Sequence, residues 1–178
     1  MGRLKQLLNY QGKPMVQHAV KQALGAGFAP IIVVTGSEGA RVREAVAMLP
    51  VEIAENEHWQ LGMGSSITSG MRLLMEIEPD AVAVAILLAD QPLVATQHLC
   101  QMRALLDSDH AAIAAEYNGT AGVPAMFSSR LFPILTAVAP EAGAKHILLG
   151  LGNELQTFPL PQAAADIDTP EDYARISA

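Results

Sequence analysis

Two hydrophobic rhythms alternate along the chain. Residues 15–24 carry apolar side chains at helical spacing, with Pro14 at the entrance and Gly25 and Gly27 at the exit. Residues 31–35 are a short β-branched run between Pro30 and Gly36, which predicts a strand. The alternation continues with a helix over 38–48, for which Ser37 is the candidate N-cap, and a short strand over 51–54. A glycine-rich turn precedes a helix over 65–77, and the continuous apolar run 81–89 predicts a buried strand. Thr96 is placed to cap a helix reaching residue 106. A strand over 111–117 ends in Asn118-Gly119, a hairpin signal, with 123–127 as its partner. Helices over 128–137 and 141–149, a strand over 155–158 and a helix over 170–176 complete the order.

Strands that are apolar on both faces and alternate with helices predict a mostly parallel sheet covered on both sides. The expected fold is a Rossmann-like three-layer α/β/α sandwich in one domain, residues 1–178, with an antiparallel hairpin at one edge of the sheet. In such sheets ligands bind beyond the carboxyl ends of the strands.

Composition narrows the picture. The chain has 178 residues, 51% hydrophobic and only 4% aromatic, so the core is built mainly from Ala, Val, Ile and Leu. A formal net charge of −7 argues against a nucleic-acid polymer as partner, which needs clustered Lys and Arg. It leaves room for a single nucleotide, whose charge a metal ion and one or two lysines balance. No apolar run reaches the ~20 residues that a membrane span requires. Cys100 is the single cysteine, so no internal disulfide can form, and a cytoplasmic location is expected. Cys100 is read as a buried thiol rather than a nucleophile. The five histidines show no zinc-ligand spacing, and no Gly-x-Ser-x-Gly elbow is present.

Four segments carry candidate chemistry. In Leu87-Leu88-Ala89-Asp90-Gln91-Pro92, an apolar strand runs into a carboxylate. Burying that charge alone would cost several kcal/mol, so Asp90 either meets a cation or caps a turn. Asp166 and Asp168 flank Ile167 and would share one face of an extended segment, while Thr169-Pro170-Glu171-Asp172 has the form of a helix start. Asp168 is accordingly a metal ligand or a turn residue. Gly62-Met63-Gly64-Ser65-Ser66 opens a helix, where backbone N–H groups attract phosphate; an ordinary capped turn fits equally. Lys5, with Lys13 nearby, can neutralise phosphate oxygens or simply be solvated.

Taken together, these segments resemble the molybdenum cofactor nucleotidyltransferases. The resemblance rests on Lys5-Gln6-Leu7-Leu8 with Gly12-Lys13-Pro14, Asn56-x-x-Trp59-x-x-Gly62-Met63-x-Ser65-Ser66, Ala89-Asp90-Gln91-Pro92, Gly122-Val123-Pro124, Gly143-Ala144-Lys145 and Asp166-Ile167-Asp168-Thr169-Pro170, in the family's order. It is nearest to the molybdopterin cytidylyltransferase-like branch. It implies transfer of a nucleotide from a nucleoside triphosphate, CTP, to molybdopterin, with pyrophosphate released. It further implies Mg²⁺ held by Asp90 and Asp168, with Lys5 stabilising phosphate charge. Asn56, Gly62, Met63, Gly64, Ser65 and Ser66 would line the substrate cleft, with Gly2, Gln91 and Pro92 beside the substrate. Two other readings fit the family: a non-catalytic carrier or insertion protein serving a molybdenum hydroxylase, and a transferase acting on a sugar phosphate. A monomer or homodimer is expected. Family members place a central strand and a Leu-Ala-Ala-Gly-x-Ser-x-Arg type loop ahead of the segment that Met1-Gly2 begins here. The resemblance therefore implies a gap in the sheet, with the neighbouring strands closed up or a dimer partner filling it.

Overall fold

Helix α1 (Met15–Gly25) starts directly after Pro14 and stops where Gly27 turns to a positive φ of 76°. Its buried face, Val16, Val20 and Ala23, repeats at helical spacing, as the apolar pattern requires. The structure, a computed structural model, describes residues 4–107, 109–165, 167 and 172–173. Gly2, Asp166, Asp168 and almost all of the helix expected over 170–176 lie outside the described residues.

A short antiparallel pair, β1 (Asn9–Tyr10) and β2 (Lys13–Pro14), precedes α1. After α1 come β3 (Ile32–Thr35), α2 (Gly39–Val46) and β4 (Glu52–Glu55), with β3 and β4 paired in parallel. Ser37 does not cap α2; the N-cap is Glu38, in the left-handed region, and no side chain bonds the helix start. Helix α3 (Met63–Ile77) leads to β5 (Ala83–Ile86), shorter than the apolar run that predicted it. Thr96 opens α4 (Thr96–Leu105) without capping it. Its hydroxyl and N–H both meet the Gln22 carboxamide oxygen at 2.7 Å, and His98 Nδ1 accepts the Ala95 N–H instead.

Strands β6 (Ala112–Tyr117) and β7 (Thr120–Ser128) form the hairpin, turning through Asn118 and Gly119 at φ 51° and 72°, the positive values that a tight Asn-Gly turn uses. Helices α5 (Phe132–Thr136) and α6 (Ala144–Gly150) and strand β8 (Leu155–Pro159) follow. The larger sheet has the order β5-β7-β6-β8. Strands β5, β6 and β8 run one way and β7 runs against them. The class is the expected α/β sandwich, but the hairpin lies inside the sheet rather than at its edge. Asn118-Gly119 sets which strands pair locally; it carries no information on what adds to their outer sides.

Side-chain alternation divides this sheet into two buried faces. Ala112 and Ala114 of β6, with Ala125 and Phe127 of β7, pack on Ile67 and Met71 of α3 and on Leu135 and Ile147 of α5 and α6. Ile113, Ala115 and Met126 point the other way, onto Leu99 and Met102 of α4. A third cluster joins Val16 and Val20 of α1 to Val33, Val42 and Val46. Helices α3, α5 and α6 on one face of the larger sheet, the sheet itself, and α4 on the other face are the three layers.

Strands β3 and β5 are the facing edges of two separate sheets, with no ladder between them among the described residues. A cavity of about 750 Å³ separates them, walled by residues of both strands, by α1 through Val16 and Val20, and by α3 through Gly70 and Met71. The strands beside the gap have not closed up.

Candidate active site

The cavity between β3 and β5 runs along both strands, from Phe28 and Glu78 before them to Gly36 and Asp90 after them. Lys5 and Gln6 line it from the chain start, Thr35 and Gly36 from the end of β3, Met63 and Ser66 from the first turn of α3, and Asp90 from beyond β5. Of the residues singled out in the sequence, Lys5, Met63, Ser66 and Asp90 thus come together around one cavity. A smaller cleft of about 380 Å³ adjoins it, sharing Gln6, Gly36, Met63 and Ser66 and adding Gly62, Ser37 and Trp59. Trp59 is packed so closely on Gly36 that a Cβ there would lie 2.6 Å from Trp59 Cβ. Glycine at position 36 is what admits the indole.

Asn56 does not face the cavity. It is 5% exposed, and its carboxamide is engaged within the protein. Nδ2 donates to Ser65 Oγ at 2.8 Å and to Ser66 Oγ at 3.0 Å, while Oδ1 accepts the His58 N–H at 3.0 Å. The Asn56 N–H in turn donates to Thr35 O at 2.7 Å. Asn56 therefore ties the first turn of α3 to the ends of β3 and β4, and so orients Ser66 at the cavity wall. Ser65 is also turned inward, with its hydroxyl 2.7 Å from Gly62 O and 3.0 Å from His58 O.

The glycines of the Gly62–Ser66 turn are closely approached by backbone from elsewhere in the chain. A Cβ at Gly62 would lie 2.6 Å from Pro140 O, and one at Gly64 would lie 2.5 Å from Ala142 O. The Gly64 N–H donates to Pro140 O at 2.9 Å. What approaches this helix start is the backbone of the 139–142 loop. Gly62, at φ 121°, also needs glycine for its conformation. Nothing local to Gly62-Met63-Gly64 announces this contact, because its partner lies more than seventy residues further on.

Gln91 and Pro92, expected beside the substrate, are both buried. The Pro92 carbonyl accepts from His18 Nε2 at 3.1 Å, across α1. Burial holds the His18 imidazole below its ordinary pKa, the Pro92 bond pulls it back up, and the charge of Lys13 lowers it further. Lys13 also stands beside Lys21, and that neighbouring ammonium lowers the pKa of Lys21. Gln91 Nε2 donates to Ala163 O at 2.8 Å and to Val123 O at 3.1 Å. In the sequence His18 is one histidine without ligand spacing; its helical position facing the 90–92 segment becomes visible only in the packed structure.

Asp90 can supply a hard oxygen ligand at the cavity wall. Its backbone carbonyl accepts the Ile167 N–H at 3.3 Å, so the chain just before Asp168 runs against the Asp90 turn. A Mg²⁺ or Mn²⁺ ion is commonly held by one or two carboxylates plus substrate phosphates, and a carboxylate at a cavity wall is a donor of the type such an ion takes. Among the described residues, no group of three His, Cys, Asp or Glu side chains forms a fuller metal cage. No helix among them is long and apolar enough to cross a membrane.

Known proteins place this arrangement. The purine catabolism protein PucB of Bacillus subtilis (strain 168) is 30% identical over 188 residues, an overlap covering 99% of this chain and 89% of that protein. The crystal structure of Rv0371C from Mycobacterium tuberculosis H37Rv, a complex with manganese, superposes with a TM-score of 0.77 at 25% identity, over 99% of this chain and 92% of that one. The fold is shared at a TM-score of 0.65 with the molybdopterin-guanine dinucleotide biosynthesis protein A of Archaeoglobus fulgidus, at 14% identity over 99% and 90% of the two chains. Residues 1–155 match the MobA-like NTP transferase domain, and the chain belongs to that family.

Proposed function

We propose that this protein transfers the nucleotide of CTP to the terminal phosphate of molybdopterin, with Mg²⁺ as the working metal and pyrophosphate as the second product. The observation that carries this reading is the convergence of Lys5, Ser66 and Asp90 on the cavity between β3 and β5. The fold shared with a molybdopterin-guanine dinucleotide biosynthesis protein supports molybdopterin as the acceptor class.

In this reaction an oxygen of the acceptor phosphate attacks the α-phosphorus of the triphosphate. A new P–O bond forms, the bond to the β-phosphate oxygen breaks, and pyrophosphate leaves with the electron pair. The protein's tasks are alignment and charge stabilisation, which a small set of residues can meet. Lys5 places an ammonium against the leaving phosphates. The Ser66 hydroxyl, oriented by Asn56, presents a polar group from the wall formed by α3. Asp90, joined by Asp168, holds the divalent ion. A divalent ion at this position supplies charge that offsets the phosphate oxygens.

The test is pyrophosphate release from CTP with Mg²⁺ and molybdopterin, with GTP and ATP run alongside. Release is expected to depend on the acceptor, to favour CTP and to be lost in Asp90→Ala. Full release from Asp90→Ala, or release indifferent to molybdopterin, would overturn the reading.

A further inference from the structure

Gln91 is 4% exposed, one of the few buried polar side chains among the described residues, and its neighbours explain why. Strand β7 carries an irregularity opposite Ala114 and Ala115, whose partners jump from Ala125 to Gly122. Val123 and Pro124 fall in that jump. Pro124 has no N–H to give to a ladder, which suits it to such a bulge. The bulge leaves the Val123 carbonyl without a place in the ladder. Two side-chain donors reach it: Gln91 Nε2 and the Tyr117 hydroxyl, each at 3.1 Å. Gly122 makes room for that hydroxyl, since a Cβ there would lie 2.6 Å from Tyr117 Oη. The second Gln91 N–H goes to Ala163 O, in the turn Pro161–Ala164. One carboxamide thus joins three pieces of chain: the turn bearing Asp90, the bulge of β7, and the turn Pro161–Ala164.

We infer that Gln91 is a positioning residue for the Asp90 carboxylate. It holds the Asp90 turn against the β7 bulge and the turn Pro161–Ala164, and does not itself touch substrate or metal. The inference rests on the proposed metal-dependent transfer, and it assigns to Gln91 a role different from the substrate contact expected of it. The backbone bond from Ile167 N–H to Asp90 O, at 3.3 Å, is a further link to the Asp90 turn.

The experiment measures Mn²⁺ binding in the presence of CTP by calorimetry, with CTP alone as a second titration, for wild type, Gln91→Glu, Tyr117→Phe and Asp90→Asn. Gln91→Glu removes both donors and faces two carbonyl oxygens with a carboxylate. Tyr117→Phe disturbs the same clamp more gently and decides the matter if Gln91→Glu does not fold. Mn²⁺ affinity is expected to fall about 10- to 100-fold in Gln91→Glu, the loss typical when a partner behind a metal ligand is removed. A smaller fall is expected in Tyr117→Phe, with metal-free CTP affinity unchanged in both, at a temperature where far-UV circular dichroism shows each variant folded. Wild-type Mn²⁺ affinity in the folded Gln91 and Tyr117 variants, alongside loss in Asp90→Asn, would overturn this inference and leave the proposed function standing. A wild-type protein that binds no Mn²⁺ with CTP, or an Asp90→Asn variant that binds it normally, would overturn both.

Discussion

Replacing Gly64 by Ala tests whether the glycines before α3 are there for a ligand or for the 139–142 loop. Position 64 is helical, and on propensity alone Ala should gain about 1 kcal/mol over Gly. The new methyl, however, would lie 2.5 Å from Ala142 O and closer still to Ala139 O. Both obstacles are backbone, which cannot swing aside as a side chain can. Overpacking of this kind costs about 1–3 kcal/mol, and here the upper end applies. Displacing the loop also breaks the 2.9 Å bond from Gly64 N–H to Pro140 O, a further loss of about 1 kcal/mol. Subtracting the propensity gain leaves a net destabilisation of about 2–3 kcal/mol. At this chain length that lowers the melting temperature by roughly 4–12 °C. Urea unfolding followed by circular dichroism measures the free-energy change, and Gly150→Ala supplies the contrast. Gly150 is the last residue of α6, and a Cβ there would meet nothing within 4 Å, so Ala should be neutral or stabilising by up to about 1 kcal/mol. If Gly64→Ala is as stable as wild type, or if the two variants shift alike, the loop contact does not explain the glycine.

Two further outcomes follow from the same site. Asn56→Ala leaves the His58 N–H and two serine hydroxyls without the partner they had, and should cost about 2–3 kcal/mol in urea unfolding; a change under about 0.5 kcal/mol would show that water replaces the carboxamide at no cost. His18 has a folded-state pKa below its ordinary value, chiefly through burial, so the unfolded chain binds its proton first as pH falls. His18 therefore subtracts nothing above about pH 6.5, and its penalty grows from there down to the lowered folded value. His18→Gln, which keeps a donor for Pro92 O without titrating, should lose stability less steeply than wild type as pH falls below about 6.5; equal slopes would remove His18 from the account.

Much of the architecture is readable from local signals. The β-branched run after Pro30, the Asn118-Gly119 turn and the apolar face of α1 each act over a few residues, and each yields its element. The departures share one cause, which is distance along the chain. Ser37 and Thr96 have the chemistry of N-caps, but Thr96 is taken by Gln22 from another helix and the cap of α2 falls one residue later, at Glu38. Turn chemistry cannot see the strands that add on either side, so it cannot tell an inner hairpin from an edge one. In the site, Asp90, Lys5 and Ser66 converge as residues at strand and helix ends are apt to do. Asn56 and Gln91, whose side chains suit a substrate wall, are bonded within the protein, and the Pro92 carbonyl accepts from His18. A carboxamide beside a functional carboxylate looks the same in sequence whether it points outward or inward; only its long-range partners, Val123 and Ala163 for Gln91, decide.

The separation of β3 from β5 also bears on how the molecule comes apart. Cooperativity across a sheet travels through its ladder, and here the ladder is interrupted, so the β3–β4 pair with α1 and α2 is coupled to the four-stranded sheet through helix packing, such as α1 against α4 and α3 beneath both sheets. Such a molecule opens in pieces. The inner strands β6 and β7 are expected in its slowest-exchanging unit and the β3–β4 pair is expected to open at lower free energy, an order that amide hydrogen exchange would read. Because Thr35 and Gly36 line the cavity from the first unit and Asp90 from the second, a ligand that touches both walls would fuse two independently opening units into one.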